Sequence, residues 1–263
     1  MHKLAFDHAV IYVPNLEKAI SQFTALGFTI KPGGEHTHTH NALIIFNDRS
    51  YIELLALKPS WRRWLLLGIA KSGMLDLIAN SKSDIGWRVM RWISYKYGPI
   101  DWALRTDNSE VTMTYLRENN IPLLDSLRYQ RTLADGRIAE WTMVSAKDLD
   151  LPFLVADQTD IDLRVPLGEH TEHANGALGI SKITVSAKDG HLAHRNLRTL
   201  LGIAIDQEIS DKLTTRLDNT LIAFTKAENL AQPFSLELLY SGDKQVHLDR
   251  YKTFGTNIWL SPE

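Results

Sequence analysis

The chain has 263 residues, 44% hydrophobic and 23% charged, with a formal net charge of -2 and no cysteine. That length and composition allow a sizeable core, as one large domain or two smaller ones. The balanced charge gives no basic surplus for nucleic acid, and the lack of cysteine excludes disulfides, a thiol nucleophile and thiolate-bound metal.

Residues 1–57 read as a β-α-β-β-β unit. The segment Met1 to Phe6 has the character of a strand start and not of a signal peptide. Val10, Ile11 and Val13 continue that strand, and Pro14 ends it. Asn15 is a helix cap with Glu17 in the first turn, and Ala19, Ile20, Phe23 and Leu26 recur at helical spacing up to the stop at Gly27. Phe28–Ile30 is the expected second strand, Pro32-Gly33-Gly34 a turn, and Glu35 to His40 a polar loop. Asn41–Phe46 and Tyr51–Leu55 complete the unit. His8 lies in its first strand and Glu53 in its last, each a polar residue in an otherwise apolar run, which costs free energy unless the group is used or paired.

Residues 58–98 change character: Trp61, Trp64, Trp87 and Trp92 lie among Arg62, Arg63, Arg88 and Arg91, in segments of helical appearance. This insertion either packs on the sheet with its arginine heads snorkelling to water, or forms a lid or a membrane-facing element. Its longest apolar run, Trp64 to Ala70, is too short to span a bilayer, and the cytoplasm is the expected location. A second unit occupies 99–157, with Trp102 where His8 stands in the first, Arg131 to Gly136 as a turn, and Leu151–Val155 as the closing strand. A polar linker at 158–177 carries His170 and His173. A third unit occupies 178–263, with Lys182 in the position of His8 and Ser235–Leu239 echoing Tyr51–Leu55, so that Glu237 repeats Glu53. The expected fold is therefore α+β: repeated βαβββ modules forming cupped mixed sheets, with a helical insertion.

Several of these pieces, in this order, resemble the glyoxalase-like domain family of the vicinal oxygen chelate superfamily. They are Asp7-His8-Ala9-Val10 with Val13-Pro14-Asn15-Leu16, Gly33-Gly34 followed by Thr39-His40-Asn41-Ala42, and Tyr51-Ile52-Glu53-Leu54. Asp101-Trp102-Ala103-Leu104-Arg105, Gly136-Arg137 with Trp141, Leu151-Pro152-Phe153 and His173-Ala174-Asn175-Gly176 extend the likeness over most of the chain. The resemblance implies paired modules around a cup and a divalent metal (Mn, Fe, Ni, Zn or Mg) held by first-strand and last-strand residues. His8 and Glu53 match two such ligands, and His40 is the third metal candidate. Trp102, with Pro152, Phe153 and Leu154, departs from the pattern in the second module.

His8 and Glu53 can act as metal ligands, or as a base and its orienting partner, and Glu53 is the candidate catalytic residue. His36, His38 and His40 alternate and in a strand would share one face. Arg105, Trp102 and His173 are the candidate substrate contacts, and Glu237 is either a second functional carboxylate or the partner of Lys182. The expected partners are a small oxygenated substrate and, as one option, a second copy of the chain in a homodimer. The expected function is a metal-dependent lyase or isomerase, or a ring-cleaving dioxygenase. The alternative is a non-catalytic, sequestering protein on the same fold.

Overall fold

The computed structural model describes residues 3–35, 39–58, 88, 97–133, 135–203, 213–227 and 233–262. Strand β1 (Leu4–Tyr12) leads into α1 (Leu16–Ala25), where the Asn15 side chain accepts from Lys18 N–H and satisfies one free donor of the first turn. After α1 come β2 (Lys31–Glu35), β3 (Thr39–Ile45) and β4 (Tyr51–Leu57). The second strand thus starts later than Phe28–Ile30, and Pro32, Gly33 and Gly34 are part of it rather than a turn. Proline is tolerated there because β2 is an edge strand, and its register slips between Pro32 and Glu35.

The second unit supplies β5 (Gly98–Thr106), α2 (Ser109–Glu118), β6 (Leu127–Thr132), β7 (Ile138–Ser145) and β8 (Phe153–Asp157). Arg131 and Thr132 lie inside β6, so the turn begins only after them. Both units form one eight-stranded sheet in the order β2-β3-β4-β1-β5-β8-β7-β6. A second sheet of six strands follows: β9 (Ala177–Ala187), β10 (Thr214–Leu217), β11 (Thr220–Lys226), β12 (Phe234–Tyr240), β13 (Val246–His247) and β14 (Ile258–Ser261), with α3 (Gly190–Leu201) between β9 and β10. Among the described residues no helix is long and apolar enough to cross a membrane.

The echo between 51–55 and 235–239 is local and not topological. β4 runs parallel to β1, whereas β12 runs antiparallel to β9; the strand parallel to β9 on its other side is β11. Glu237 therefore lies directly opposite Lys182, and their side chains form a half-exposed ion pair at 2.6 Å. Such a pair contributes about 0–1 kcal/mol.

The first sheet has two unlike faces. Ala9, Ile11, Ala42, Ile44, Ile52 and Leu54 point to one side, into a core shared with α1, α2, α3 and the second sheet. Each fully buried side chain of leucine or isoleucine size there stabilises by about 1.5–3 kcal/mol. The opposite face carries Val10, Tyr12, Leu55, Phe153, Met143 and Trp141. The helices α1, α2 and α3 pack on the first face, and the second face lines the inside of the cup. The expected helices of the 58–98 insertion lie outside the described residues; Arg88 of that insertion is described. That side chain does not snorkel: it is buried, with Nε and Nη2 on the two oxygens of Asp101 at 2.7 Å each, Nη1 on Ser145 Oγ and Nη2 on the Leu151 carbonyl.

Candidate functional site

A bulge builds the centre of the cup. In the antiparallel pairing of β1 with β5, Phe6 opposes Leu104 and His8 opposes Ala103, so Asp7 is one residue too many. A bulge turns two consecutive side chains towards one face, and Asp7 and His8 meet there, with Oδ2 to Nδ1 at 2.7 Å. Glu53 reaches the same face from the parallel neighbour β4, opposite Val10. Its Oε2 lies 3.4 Å from His8 Nε2. Its Oε1 accepts from the Asn41 amide at 2.6 Å, and Asn41 Oδ1 in turn accepts from the Gly34 N–H at 2.6 Å. Tyr51 stacks on the His8 ring at 4.5 Å, and Phe153 meets it edge-on at 5.3 Å.

Charge fixes the protonation of this group. Burial alone would raise the Asp7 carboxyl, but Arg164 and His8 outweigh it and hold Asp7 far below the ordinary carboxylate range. Arg164, from the segment after β8, places Nη1 and Nη2 on the two Asp7 oxygens at 3.0 Å each and Nε and Nη2 on Asp157 at 2.6 and 2.8 Å. For His8, burial works against the charged form, yet the hydrogen bonds to Asp7 and Glu53 raise its pKa above the ordinary 6.5. Burial pushes the Tyr51 phenol well above its usual 10, so its hydroxyl stays protonated while accepting from Arg164 at 2.9 Å.

The expected site residues divide. His8 and Glu53 come together, and Arg105 reaches their surroundings, its Nη1 3.4 Å from Asp7 Oδ1. His40 does not join them. On β3 the cup face carries Leu43 and Ile45 beside Tyr51, while Ala42 and Ile44 enter the shared core, so alternation gives Asn41 to the cup and His40 to the other face. His36 and His38 lie outside the described residues. Trp102 is buried in the shared core, stacked on Phe6 at 6.3 Å, and does not line the cup. His173 is a fastener elsewhere: Nδ1 accepts from Thr29 N–H at 3.0 Å, Nε2 donates to the Ile45 carbonyl at 3.0 Å, and burial lowers its pKa.

The same register identifies the counterpart of His8 in the second unit. β5 has its own extra residue, Ile100, between Pro99 and Asp101. Exchanging the two strands matches Asp7 with Ile100, His8 with Asp101, and Ala9 with Trp102, and the last two both lie in the shared core. The counterpart of Glu53 is Phe153, the parallel neighbour of Ala103 as Glu53 is of Val10. A two-module metal site would thus draw on His8, Glu53, Asp101 and Phe153. Arg88 holds both oxygens of Asp101 and Phe153 has no donor atom. Among the described residues no three His, Asp or Glu side chains are gathered as a metal would need. This donor set does not fit a resident divalent ion.

The model of the family described as "Glyoxalase-like domain" matches residues 6–201. The chain belongs to the glyoxalase-like domain family. The matched stretch covers the whole eight-stranded sheet from Phe6 onward and continues through β9 and α3. Among solved structures, this glyoxalase-like protein is similar to a hypothetical protein from Staphylococcus aureus, with a TM-score of 0.74 and 15% identity over 99% of this chain and 100% of that one. It also resembles a fusion of a xylose isomerase-like TIM barrel with 4-hydroxyphenylpyruvate dioxygenase, with a TM-score of 0.51 and 13% identity over 90% of this chain and 37% of that one. A Mn(II)-bound glyoxalase from Novosphingobium aromaticivorans matches at a TM-score of 0.45 and 10% identity, over 91% and 66% of the two chains. At these identities the likeness of the first two establishes the fold alone. No curated protein matches the chain.

Two further residues lie on the cup face, Asn41 and Arg131. Asn41 was visible only as part of the Thr39-His40-Asn41 piece; both faces of β3 are apolar, so alternation could not choose between it and His40. In the sequence Arg131 opens an expected turn. In β6 it follows Leu127 and Tyr129 at period two, and both of those pack on the cup face, so Arg131 points there too.

Proposed function

We propose that this glyoxalase-like protein binds a small oxygenated substrate in the cup, and that Glu53 and His8 move a proton on it. The observation that carries this reading is the chain Asp7–His8–Glu53, in which an ionised, buried Asp7 fixes Nδ1 while Nε2 lies 3.4 Å from a carboxylate held by Asn41. Glu53 takes a proton from the carbon beside a carbonyl, and the C–H electron pair moves onto the carbonyl oxygen. His8, favoured in its protonated form, gives its Nε2 proton to that oxygen. With a hydroxyl on the carbon that lost its proton, this gives an enediol; return of the proton from Glu53 to the former carbonyl carbon, and of the neighbouring hydroxyl's proton to His8, moves the carbonyl to the neighbouring carbon and completes an isomerisation. No metal enters these steps, because the described residues supply too few donors for one.

The test is deuterium wash-in followed by NMR, with α-ketoaldehydes (with and without a thiol) and hydroxyketones in heavy water. Wild-type protein is expected to exchange the proton beside the carbonyl, and Glu53→Gln to lose about 100-fold or more of that rate. Dialysis against a chelator is expected to leave it unchanged. Equal exchange by the variant, or none with any substrate, overturns the reading. Saturable binding without exchange would favour the second reading, sequestration, which the stacked Tyr129–Trp141 pair at 6.0 Å supports as an apolar wall for a ligand.

A further inference from the structure

β2 and β6 are the two edges of the eight-stranded sheet, yet Gly34 of β2 and Arg131 of β6 touch: a Cβ added at Gly34 would lie 2.6 Å from Arg131 Cδ. The sheet therefore curls until the Arg131 side chain from one edge reaches the other, and the missing side chain at Gly34 is what admits the arginine stem. Arg131 Nη2 donates to the carbonyls of Leu163 and Arg164 at 3.2 and 3.3 Å, which leaves Nε and Nη1 with no protein acceptor among the described residues.

Lys31 faces the cup from the opposite edge. It lies opposite Leu43, which lies opposite Glu53, and side chains directly opposite in antiparallel strands share a face. Its Nζ donates to the Pro32 carbonyl at 3.3 Å and, among the described residues, pairs with no carboxylate. Two strand spacings separate Lys31 from Glu53, about 10 Å between backbones, a span that two side chains and a few substrate atoms fill. Burial lowers the pKa of Lys31, and the charge of Arg131 lowers it further. Burial likewise lowers that of Arg131, against the opposing pull of Tyr51 and Glu53, with Arg164 adding to the lowering. Asp7 and Asp157 are already engaged by Arg164, and among the described residues no carboxylate forms an ion pair with Lys31 or Arg131.

We propose that Lys31 and Arg131 form an anion clamp at the closed end of the cup, and that the molecule handled by His8 and Glu53 carries a carboxylate or phosphate seated in it. The clamp rests on the reading of the cup as the substrate site. A guanidinium and an ammonium converging on one anion recognise it by charge-assisted hydrogen bonds.

The test is calorimetric titration at low salt with benzoate, inorganic phosphate and the uncharged control benzamide. Wild-type protein is expected to bind at least one of the two anions saturably, and the anion that binds identifies the group. Arg131→Gln and Lys31→Gln are each expected to weaken that binding about tenfold or more. Lys31 is a half-buried edge residue, so its variant keeps the test open should Arg131→Gln fail to fold. Benzamide binding as tightly as benzoate, no binding of either anion, or unchanged affinity in a folded variant overturns the clamp. Anion binding without deuterium exchange would retain the clamp and remove the proton-transfer reading; exchange without anion binding would do the reverse.

Discussion

Arg164 reaches back across 157 residues of chain to take both oxygens of Asp7 at 3.0 Å each. Both groups are buried, and the contact joins the segment after β8 to the first strand. Arg164→Met would leave the Asp7 charge buried without its main partner. It is expected to destabilise the fold by about 3–5 kcal/mol, measured by urea unfolding. A loss below about 1 kcal/mol would mean that Arg105, at 3.4 Å, already suffices.

His8 gives the fold a pH signature. Its pKa is raised in the folded state, so the stability from its charge is complete below the unfolded value of 6.5 and is lost as pH rises through the folded value. Wild-type stability is expected to fall on the alkaline side of 6.5, and His8→Gln to remove that fall. Asp7 acts at the other end. Its depressed pKa contributes stability that is present above 3.8 and lost progressively as pH drops below it. Thermal unfolding followed from pH 3 to 9 reads both limbs, and an alkaline limb that survives in the variant would assign it to another group.

Asn41 holds Glu53 at 2.6 Å without being placed to react itself. Asn41→Ala is expected to reduce turnover about tenfold or more by freeing the carboxylate, whereas Glu53→Gln removes the base outright. The pH–rate profile separates the two, because only the loss of Asn41 moves the profile while retaining activity.

Gly33 is expected to tolerate no side chain. A Cβ there would lie 2.0 Å from Asn41 Oδ1 and 2.8 Å from the Asn41 carbonyl oxygen. Gly33→Ala is expected to cost about 1–3 kcal/mol in stability and to lower activity as Asn41→Ala does. A variant with full activity would show that Asn41 has another route to Glu53.

His173 should behave as a structural residue. Both ring nitrogens are engaged, with Thr29 and Ile45, and Phe28 and Phe46 meet the ring edge-on. His173→Ala is expected to destabilise by about 1–3 kcal/mol and to leave kcat unchanged at a temperature where the variant is folded.

The strands that carry His8 and Glu53 and the helix between Asn15 and Gly27 were legible in the sequence, because apolar runs, caps and stops are local signals; β2 was not, since Pro32-Gly33-Gly34 reads as a turn and only its edge position lets it pair. So were the two polar residues at the heart of the cup, since His8 and Glu53 stand out against apolar neighbours wherever the strands lie. Register was not legible. A single bulged residue in β1 sets Asp7 beside His8 and moves the counterpart of His8 from Trp102 to Asp101, and no pattern of residue types marks that slip. On a strand buried on both faces, such as β3, alternation carries no information, so His40 and Asn41 could not be told apart. The curl that brings Gly34 against Arg131, the engagement of Asp101 by Arg88, and the pairing of Asp7 with Arg164 join residues far apart in the chain. Sequence fixed which side chains were costly to bury; only tertiary structure decided which of them met, because charge pairing and strand register are properties of neighbours in space.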